Sequence, residues 1–350
     1  MISKTEEEIM RNWDQNKPLV TIRCLAYNHE KYIEQCLNGF FMQETNFPFE
    51  VVIHDDCSTD NTKKIIEKYA EKYPSIIIPI YENENQFSKG AGALNGIINK
   101  YMHGKYIAVC EGDDYWTNPC KLQKQFDAME ARPECSIAFN VVEFVDVEGN
   151  PIGKTAPPRK VMERGTNIFT LEDYINTEYK SGKWAVHTSS FFVRTDIFHE
   201  YTKHRFAEYK VFPYGDMAIV IYMLSHGCGY IVPEVMGCYR RFSGGYNSYI
   251  RNDAEYAIKQ ERRLIEAIEF VDKLTGGIYS EQIWCRKYRA QMLIAKKQRN
   301  KREFLRIASI SNISKAYNTN KMRAYRLMQS FFLRIFAPGV VELKDICFKR

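Results

Sequence analysis

A chain of 350 residues with 45% hydrophobic and 26% charged content can build a full core, which excludes an intrinsically disordered protein and leaves room for one large domain with an appended region. No run reaches the roughly 18–20 uninterrupted apolar residues that a spanning helix needs, and residues 1–17 lack the apolar centre of a secretion signal, so a cytoplasmic protein is expected. The net charge of +6 is uneven: residues 251–350 hold 22 Lys or Arg against 10 Asp or Glu, which is +12, while the first 250 carry −6.

Residues 19–25 are β-branched, short and bounded by Pro18 and a polar turn, which predicts a first strand. A helix follows over about 31–43, where Ile33, Leu37, Phe40 and Phe41 recur at helical spacing. A second strand is predicted at 50–54, a helix at 61–72 and a third strand at 76–80, whose Pro79 argues for a sheet edge. A helix over 91–101 and a strand over 105–110 complete an alternation that predicts an α/β unit with a mainly parallel sheet and right-handed crossovers. Beyond it come a long strand at 136–145, a Pro- and Gly-rich connection at 149–164 and a helical unit from about 171. A strand at 188–194, an apolar helix at 217–226 and strands at 230–232 and 236–240 follow, and the pattern from Asp253 is helical and basic. The ten cysteines are dispersed without a Cys-x-x-Cys pair, a pattern of buried thiols rather than of a zinc site. No Gly-rich phosphate loop is present.

The fourth strand runs into Glu111-Gly-Asp-Asp-Tyr-Trp116, three carboxylates within four residues. Such a cluster repels itself unless it shares a cation, and its hard oxygens suit Mg²⁺ or Mn²⁺ with a phosphorylated substrate. A second acidic strand end, His54-Asp-Asp-Cys-Ser-Thr-Asp60, converges on the same edge, because ligands of open parallel sheets bind outside the carboxyl ends of the strands. Helix capping alone explains one such cluster better than two.

Val20–Ile33, His54–Thr62, Glu111–Trp116 and Lys121-Leu-Gln-Lys-Gln125 together resemble the family 2 glycosyltransferases, in order and spacing, over about residues 18–245. The resemblance implies a GT-A-like, Rossmann-type fold over residues 1–250, with a nucleotide-binding part at about 18–120 and an acceptor part at about 121–250. A basic helical region would follow at 251–350. It also implies transfer of a sugar, with inversion, from a nucleotide-diphosphate sugar, foremost a UDP-sugar, to a hydroxyl of a saccharide or lipid-linked saccharide in cell-surface polysaccharide synthesis. A divalent metal, Mn²⁺ or Mg²⁺, would stabilise the leaving diphosphate. By the same resemblance Asp56, with Asp55 as its substitute, faces the nucleotide base, and Tyr27 and Asn28 border it. Asn85 and Lys89 offer polar nucleotide contacts. Asp113 faces the ribose, Asp114 binds the metal, and Glu111 is a secondary metal or structural residue. Tyr115 and Trp116 either wall the sugar site or belong to the core. Asp216 is the expected base, with helix capping as its plain alternative, and Arg240 or Arg241 is the expected diphosphate partner. Phe242 stands where the family often has histidine. His29, His54 and His187 lie near the site, where structural histidines are the commoner outcome.

In the C-terminal region, residues 322–336 mix Arg323, Arg326 and Arg334 with Leu and Phe, a composition suited either to an anionic membrane surface or to a cap packed on the domain. Two rival classes are a sugar-nucleotide nucleotidyltransferase, which would carry an early Gly-rich phosphate loop, and a nucleic-acid-binding protein, whose phosphates the acidic strand ends would repel. Nucleic acid is therefore not an expected partner.

Overall fold

The computed structural model describes residues 4–89, 91–241 and 253–317, with isolated positions as far as 335. Phe242 and most of 322–336 lie outside the described residues. The chain divides into two compact units. The first comprises Met1–Leu171, Trp184–Glu208 and Gly215–Arg241; the second comprises Glu172–Lys183, Tyr209–Tyr214 and Phe242–Arg350.

The first unit is built on one sheet. A short helix α1 (Glu6–Met10) precedes β1 (Val20–Ala26), α2 (Ile33–Phe41), β2 (Phe49–Asp55), α3 (Thr62–Lys72), β3 (Ile77–Tyr81), α4 (Ala91–Ile98) and β4 (Tyr106–Glu111). Then come β5 (Tyr115–Trp116), α5 (Lys121–Glu130), β6 (Cys135–Val145), β7 (Pro151–Ala156), β8 (Ile168–Phe169), β9 (Phe192–Arg194), the helix Gly215–Ser225 and β10 (Cys228–Arg240). The sheet order is β3-β2-β1-β4-β9-β6-β10-β5, with β7 on β6 and β8 on β10. β3, β2, β1 and β4 are parallel, whereas β9 runs antiparallel to both β4 and β6. Pro79 does sit in the edge strand, where a missing amide costs nothing.

One face of the parallel half is apolar and packs under α2 and α3 through Ile22, Cys24, Ile53, Phe40, Phe41 and Tyr73. α2 comes close enough to β5 that a Cβ on Gly39 would stand 2.9 Å from Trp116 N, so only glycine fits there. The second half departs from the sequence pattern in two places. Residues 149–164 are more than a connection, since β7 forms a hairpin with β6. The two strands predicted at 230–232 and 236–240 are one 13-residue strand, interrupted by register shifts around Pro233, because a bulge lets a proline pass through a ladder it cannot donate to. The nine described cysteines are free. Cys135 and Cys228, register partners on β6 and β10, do form with Glu134 a group of three donors within 4.8 Å of one another, a proximity that linear spacing does not reveal.

The second unit is helical. Ala254–Leu274 and Ser280–Lys297 form a hairpin whose turn uses Gly276 and Gly277 at positive φ, and Lys301–Ile307 and Ile310–Ala316 follow. Tyr288, Met292, Phe304, Ile307 and Ile313 make its core. Part of its basic charge is internal: Arg286 pairs with Glu261 at 3.4 Å, and Arg289 donates to the carbonyls of Tyr179, Lys180 and Ala316. Among the described residues no helix is long and apolar enough to cross a membrane.

Candidate active site

The strand order reverses direction at β1, which has β2 on one side and β4 on the other, and at such a switch point the loops after the strands part to leave a crevice. The loop after β1 is locked to the loop after β2. Asn28, at φ +55°, donates its amide to Ser58 Oγ at 2.9 Å, and its Oδ1 accepts from Thr59 N at 2.8 Å. His29 N donates to Thr62 Oγ1 at 2.7 Å. Asn28 therefore shapes the turn, and Tyr27, 45% exposed, is left at its surface.

The two aspartates that end β2 differ in availability. Asp56 accepts from Gln86 N at 2.6 Å and from Phe87 N at 3.0 Å, so both of its oxygens hold the loop that carries Asn85 and Lys89. Asp55 accepts from Ser58 N at 3.2 Å with one oxygen, and its other oxygen, Oδ1, is buried without a partner. An unpaired buried acceptor carries a desolvation cost that a donor on a ligand would relieve. In the same loop Asn85 Oδ1 accepts from Ser88 N, Lys89 pairs with Glu84, and Phe87 is exposed.

At the end of β4, Gly112 N donates to Leu25 O at 2.8 Å, tying the acidic loop to β1. A Cβ on Gly112 would stand 2.7 Å from His29 Nδ1, which is why this position is glycine. The following carboxylates have separate environments. Asp114 is 1% exposed; it accepts from Ser189 Oγ and, at 3.0 Å, from Arg240 N, and His187 Nδ1 lies 3.7 Å away. Burial, and then the charge of Asp113, push its pKa well up. Asp113 is partly exposed, with its Oδ2 4.0 Å from His29 Nε2. Glu111 is raised to about 7, first by burial and then by the charges of Asp113 and Asp216, with Arg23 pulling the other way. Asp216 opens the helix Gly215–Ser225, where its Oδ1 accepts from Met217 N at 2.7 Å. Its residue surface is open to water, yet surrounding protein desolvates the carboxylate enough to raise its pKa. Glu111 thus feels the charges of both Asp113 and Asp216, and hard oxygens under such repulsion fit a divalent cation. Asp114, by contrast, is tied into the protein.

Arg240 corrects a sequence expectation. Only 4% exposed, it donates to Asp113 O (3.2 Å), Val147 O (3.1 Å) and Gln35 Oε1 (2.7 Å), and its guanidinium lies 4.7 Å from the centroid of Tyr32 and 5.1 Å from that of Tyr115. With its donors committed to the protein it is a clamp on the acidic loop, which leaves Arg241, half-buried at the end of β10, as the diphosphate candidate. Trp116 belongs to the core, 2% exposed, with Nε1 donating to Ser189 O at 3.0 Å. Lys121 is buried beside it. Its Nζ lies 3.9 Å from the Trp116 centroid and donates to Gln125 Oε1 at 2.7 Å, and burial brings its pKa down to about 7. His54 is buried against Glu82 at 3.3 Å, which makes it structural.

Two participants escaped the sequence reading. Ser189 sits in a polar triplet ahead of a strand, which gave no direction. Arg23 carries a signal in the sequence, an arginine inside an apolar strand. It is buried, donates to Asn95 Oδ1 at 3.3 Å, and keeps its Nε without a partner.

A mixed α/β sheet with acidic loops at its switch point defines a nucleotide-binding enzyme of the GT-A kind. The sequence matches the glycosyl transferase family 2 profile over residues 24–202, half of the chain, and the chain belongs to that family. It is similar to a Mycobacterium tuberculosis protein, 36% identical over 158 residues, which is 45% of each chain. It is also similar to the putative teichuronic acid biosynthesis glycosyltransferase TuaG of Bacillus subtilis, 34% identical over 145 residues, or 41% of this chain and 54% of that one. The matches thus span about half the length of these relatives. Among solved structures, Staphylococcus aureus TarS 1–349 with UDP-GlcNAc aligns at TM-score 0.52 and 16% identity, covering 89% of this chain and 91% of that one. Mannosyltransferase PcManGT from Pyrobaculum calidifontis, with GDP-Man and Mn²⁺, aligns at 0.53 and 15%, covering 97% and 94%. At those identities the likeness is one of fold.

Proposed function

We propose that this chain is an inverting glycosyltransferase that moves a sugar from a nucleotide-diphosphate sugar, foremost a UDP-sugar, to a hydroxyl of a saccharide or lipid-linked saccharide in cell-surface polymer synthesis. The observation that carries this reading is that Glu111, at the end of β4, lies within reach of the charges of both Asp113 and Asp216, which oppose its own. The names of relatives support the substrate class: TuaG is assigned to teichuronic acid synthesis, and TarS, 39% identical over 93 residues, is a poly(ribitol-phosphate) β-N-acetylglucosaminyltransferase.

In this reading Asp55 Oδ1 accepts from the nucleotide base, with Tyr27 and Asn28 at its border, and Asp56 keeps the 85–89 loop in place so that Lys89 can approach the nucleotide. Asp113 and Glu111 hold Mn²⁺ or Mg²⁺, and Asp114 fixes the loop from beneath rather than reaching the metal directly. When bound, the metal supplies charge stabilisation to the departing diphosphate, and Arg241 adds to it. Asp216 takes the proton of the acceptor hydroxyl as that oxygen attacks from the face opposite the diphosphate; one base is enough for inversion. Its raised pKa makes it a stronger base than a free aspartate. Attachment to an anionic membrane through the 322–336 segment is part of the proposal, and vesicle flotation of the chain truncated at residue 320 tests it.

Calorimetric titration of UDP with Mn²⁺ and with chelator is the test of the donor site. Metal-dependent binding that Asp113→Asn weakens is the expected result. Asp216→Asn should keep that binding and lower turnover by about 10²–10⁴-fold, the usual contribution of a general base. Binding indifferent to both chelator and Asp113→Asn would refute the assignment.

A further inference from the structure

On the other side of the carboxylates from the loops after β1 and β2, four aromatic rings stand together. Phe144 on β6 and Tyr239 on β10 are register partners, so they stand side by side on one face of the sheet, with centroids 5.2 Å apart. Trp184 and His187, from the segment leading into β9, complete the group. The Trp184 centroid is 5.4 Å from Phe144, 5.5 Å from Tyr239 and 5.9 Å from His187, whose ring it parallels to within 20°. His187 reaches 4.2 Å from the Tyr239 centroid and lies 3.7 Å from Asp114, so the group abuts the acidic loop.

Within this group Phe144 and His187 are buried, whereas Trp184 is 40% exposed and is the most exposed of the four tryptophans. A lone exposed apolar residue needs no explanation. An indole in contact with three rings is different, because its orientation is fixed before any ligand arrives and little entropy remains to be lost on contact. Its place in the sheet also distinguishes it. Along the order β2-β1-β4-β9-β6 the acidic loop follows β4, the nucleotide-facing loops follow β1 and β2, and the Trp184 group rests on β6, two strand spacings or about 10 Å beyond β4. A base stacked on Trp184 would leave Asp55 Oδ1, at the opposite end, without the donor it lacks.

Resting on the glycosyltransferase reading above, we propose that Trp184 is the stacking platform of the acceptor subsite and carries the apolar face of a pyranose ring, so that a hydroxyl of that ring is presented toward the carboxylates. Inversion demands this arrangement of sides, since the acceptor oxygen must enter opposite the diphosphate. Trp184 is a specificity-determining residue in this scheme, with Phe144, Tyr239 and His187 holding its plane.

The test uses the full chain saturated with UDP and Mn²⁺, titrated with the methyl pyranosides of glucose, galactose, mannose and N-acetylglucosamine and with their disaccharides, in the wild type, Trp184→Ala and Trp184→Phe. The expected result is a saccharide that the wild type binds, that Trp184→Ala binds about tenfold more weakly, and that Trp184→Phe largely recovers, with UDP affinity equal in all three. An alanine variant that binds the saccharide like wild type, or a wild type that binds none of the panel, overturns the proposal. So does a loss of UDP affinity in Trp184→Ala, which would place the ring in the donor site. A wild type that fails to bind UDP sinks the underlying reading instead, and this one with it.

Discussion

Replacing Arg240 with methionine separates two readings of one residue. If Arg240 contacts the diphosphate, the substitution should weaken UDP binding and leave the fold alone. The geometry requires the reverse order of effects. Methionine preserves most of the stem but removes the donors to Asp113 O, Val147 O and Gln35 Oε1 and the contacts with Tyr32 and Tyr115. A buried group left unpaired costs about 1–3 kcal/mol. Val147 and Gln35 are exposed residues, so water can replace part of what is lost there. The aromatic contacts add about 0.5–2 kcal/mol. A net destabilisation of about 2–4 kcal/mol follows, which for a domain of this size lowers Tm by about 5–15 °C. Arg241→Ala, at a half-buried strand end, should stay within about 0.5 kcal/mol of wild type while weakening UDP binding. Thermal melts and UDP titrations on both variants decide the matter: Arg240→Met with an unchanged melt and reduced UDP affinity would refute the clamp.

Lys121 makes the stability of the chain depend on pH in a defined direction. Its folded pKa is lowered from 10.5 to about 7 by burial, so between those values the unfolded chain binds a proton that the folded chain does not, and stability rises with pH across that window. The full span corresponds to at most about 5 kcal/mol. Urea unfolding at pH 7 and pH 9 should show a gain in the wild type that shrinks in Lys121→Met, and equal gains would dismiss the effect. Asp55→Asn and Asp56→Ala should part company. The first keeps the melt and weakens UDP binding, whereas the second loosens the 85–89 loop, which hydrogen exchange at Gln86 and Phe87 would register as faster exchange. Unchanged exchange there would mean that Asp56 does not hold the loop.

The parallel half of the fold was legible because each of its strands is an apolar run ended by a turn signal, and each helix carries one stripe. The later half was harder to read. β7 has an exposed, Gly- and Lys-containing sequence that looks like a linker until β6 pairs with it, and β10 contains a proline that breaks the pattern of a single strand. The site divided the same way. Local motifs single out Glu111, Asp113 and Asp55 by their spacing along the chain, and the family resemblance adds Asp216. What each one touches depends on residues far away in sequence: Asp114 is set by Ser189 and Arg240, and Asp56 by Gln86 and Phe87. Neighbouring aspartates of equal sequence standing therefore differ, one oriented inward and one left open. Trp184 carried no motif; its significance comes from Phe144 and Tyr239 being register partners.

The balance of charge around the acidic loop gives the site its dependence on ligands. Arg23 and Arg240 come near it. Arg23 lies beneath, donating to Asn95 and acting on Glu111 through its field, and Arg240 reaches two carbonyls and an amide oxygen. Among the described residues neither forms an ion pair with Glu111, Asp113 or Asp216, and the pKa of Glu111 still stands at about 7 with Arg23 in place. A protein that only needed this loop to be stable would gain by moving one of those guanidinium groups onto a carboxylate, or by replacing a carboxylate with an amide. Leaving the charge in place lowers stability and raises affinity for whatever cation arrives, so that metal and diphosphate enter a site already biased toward them.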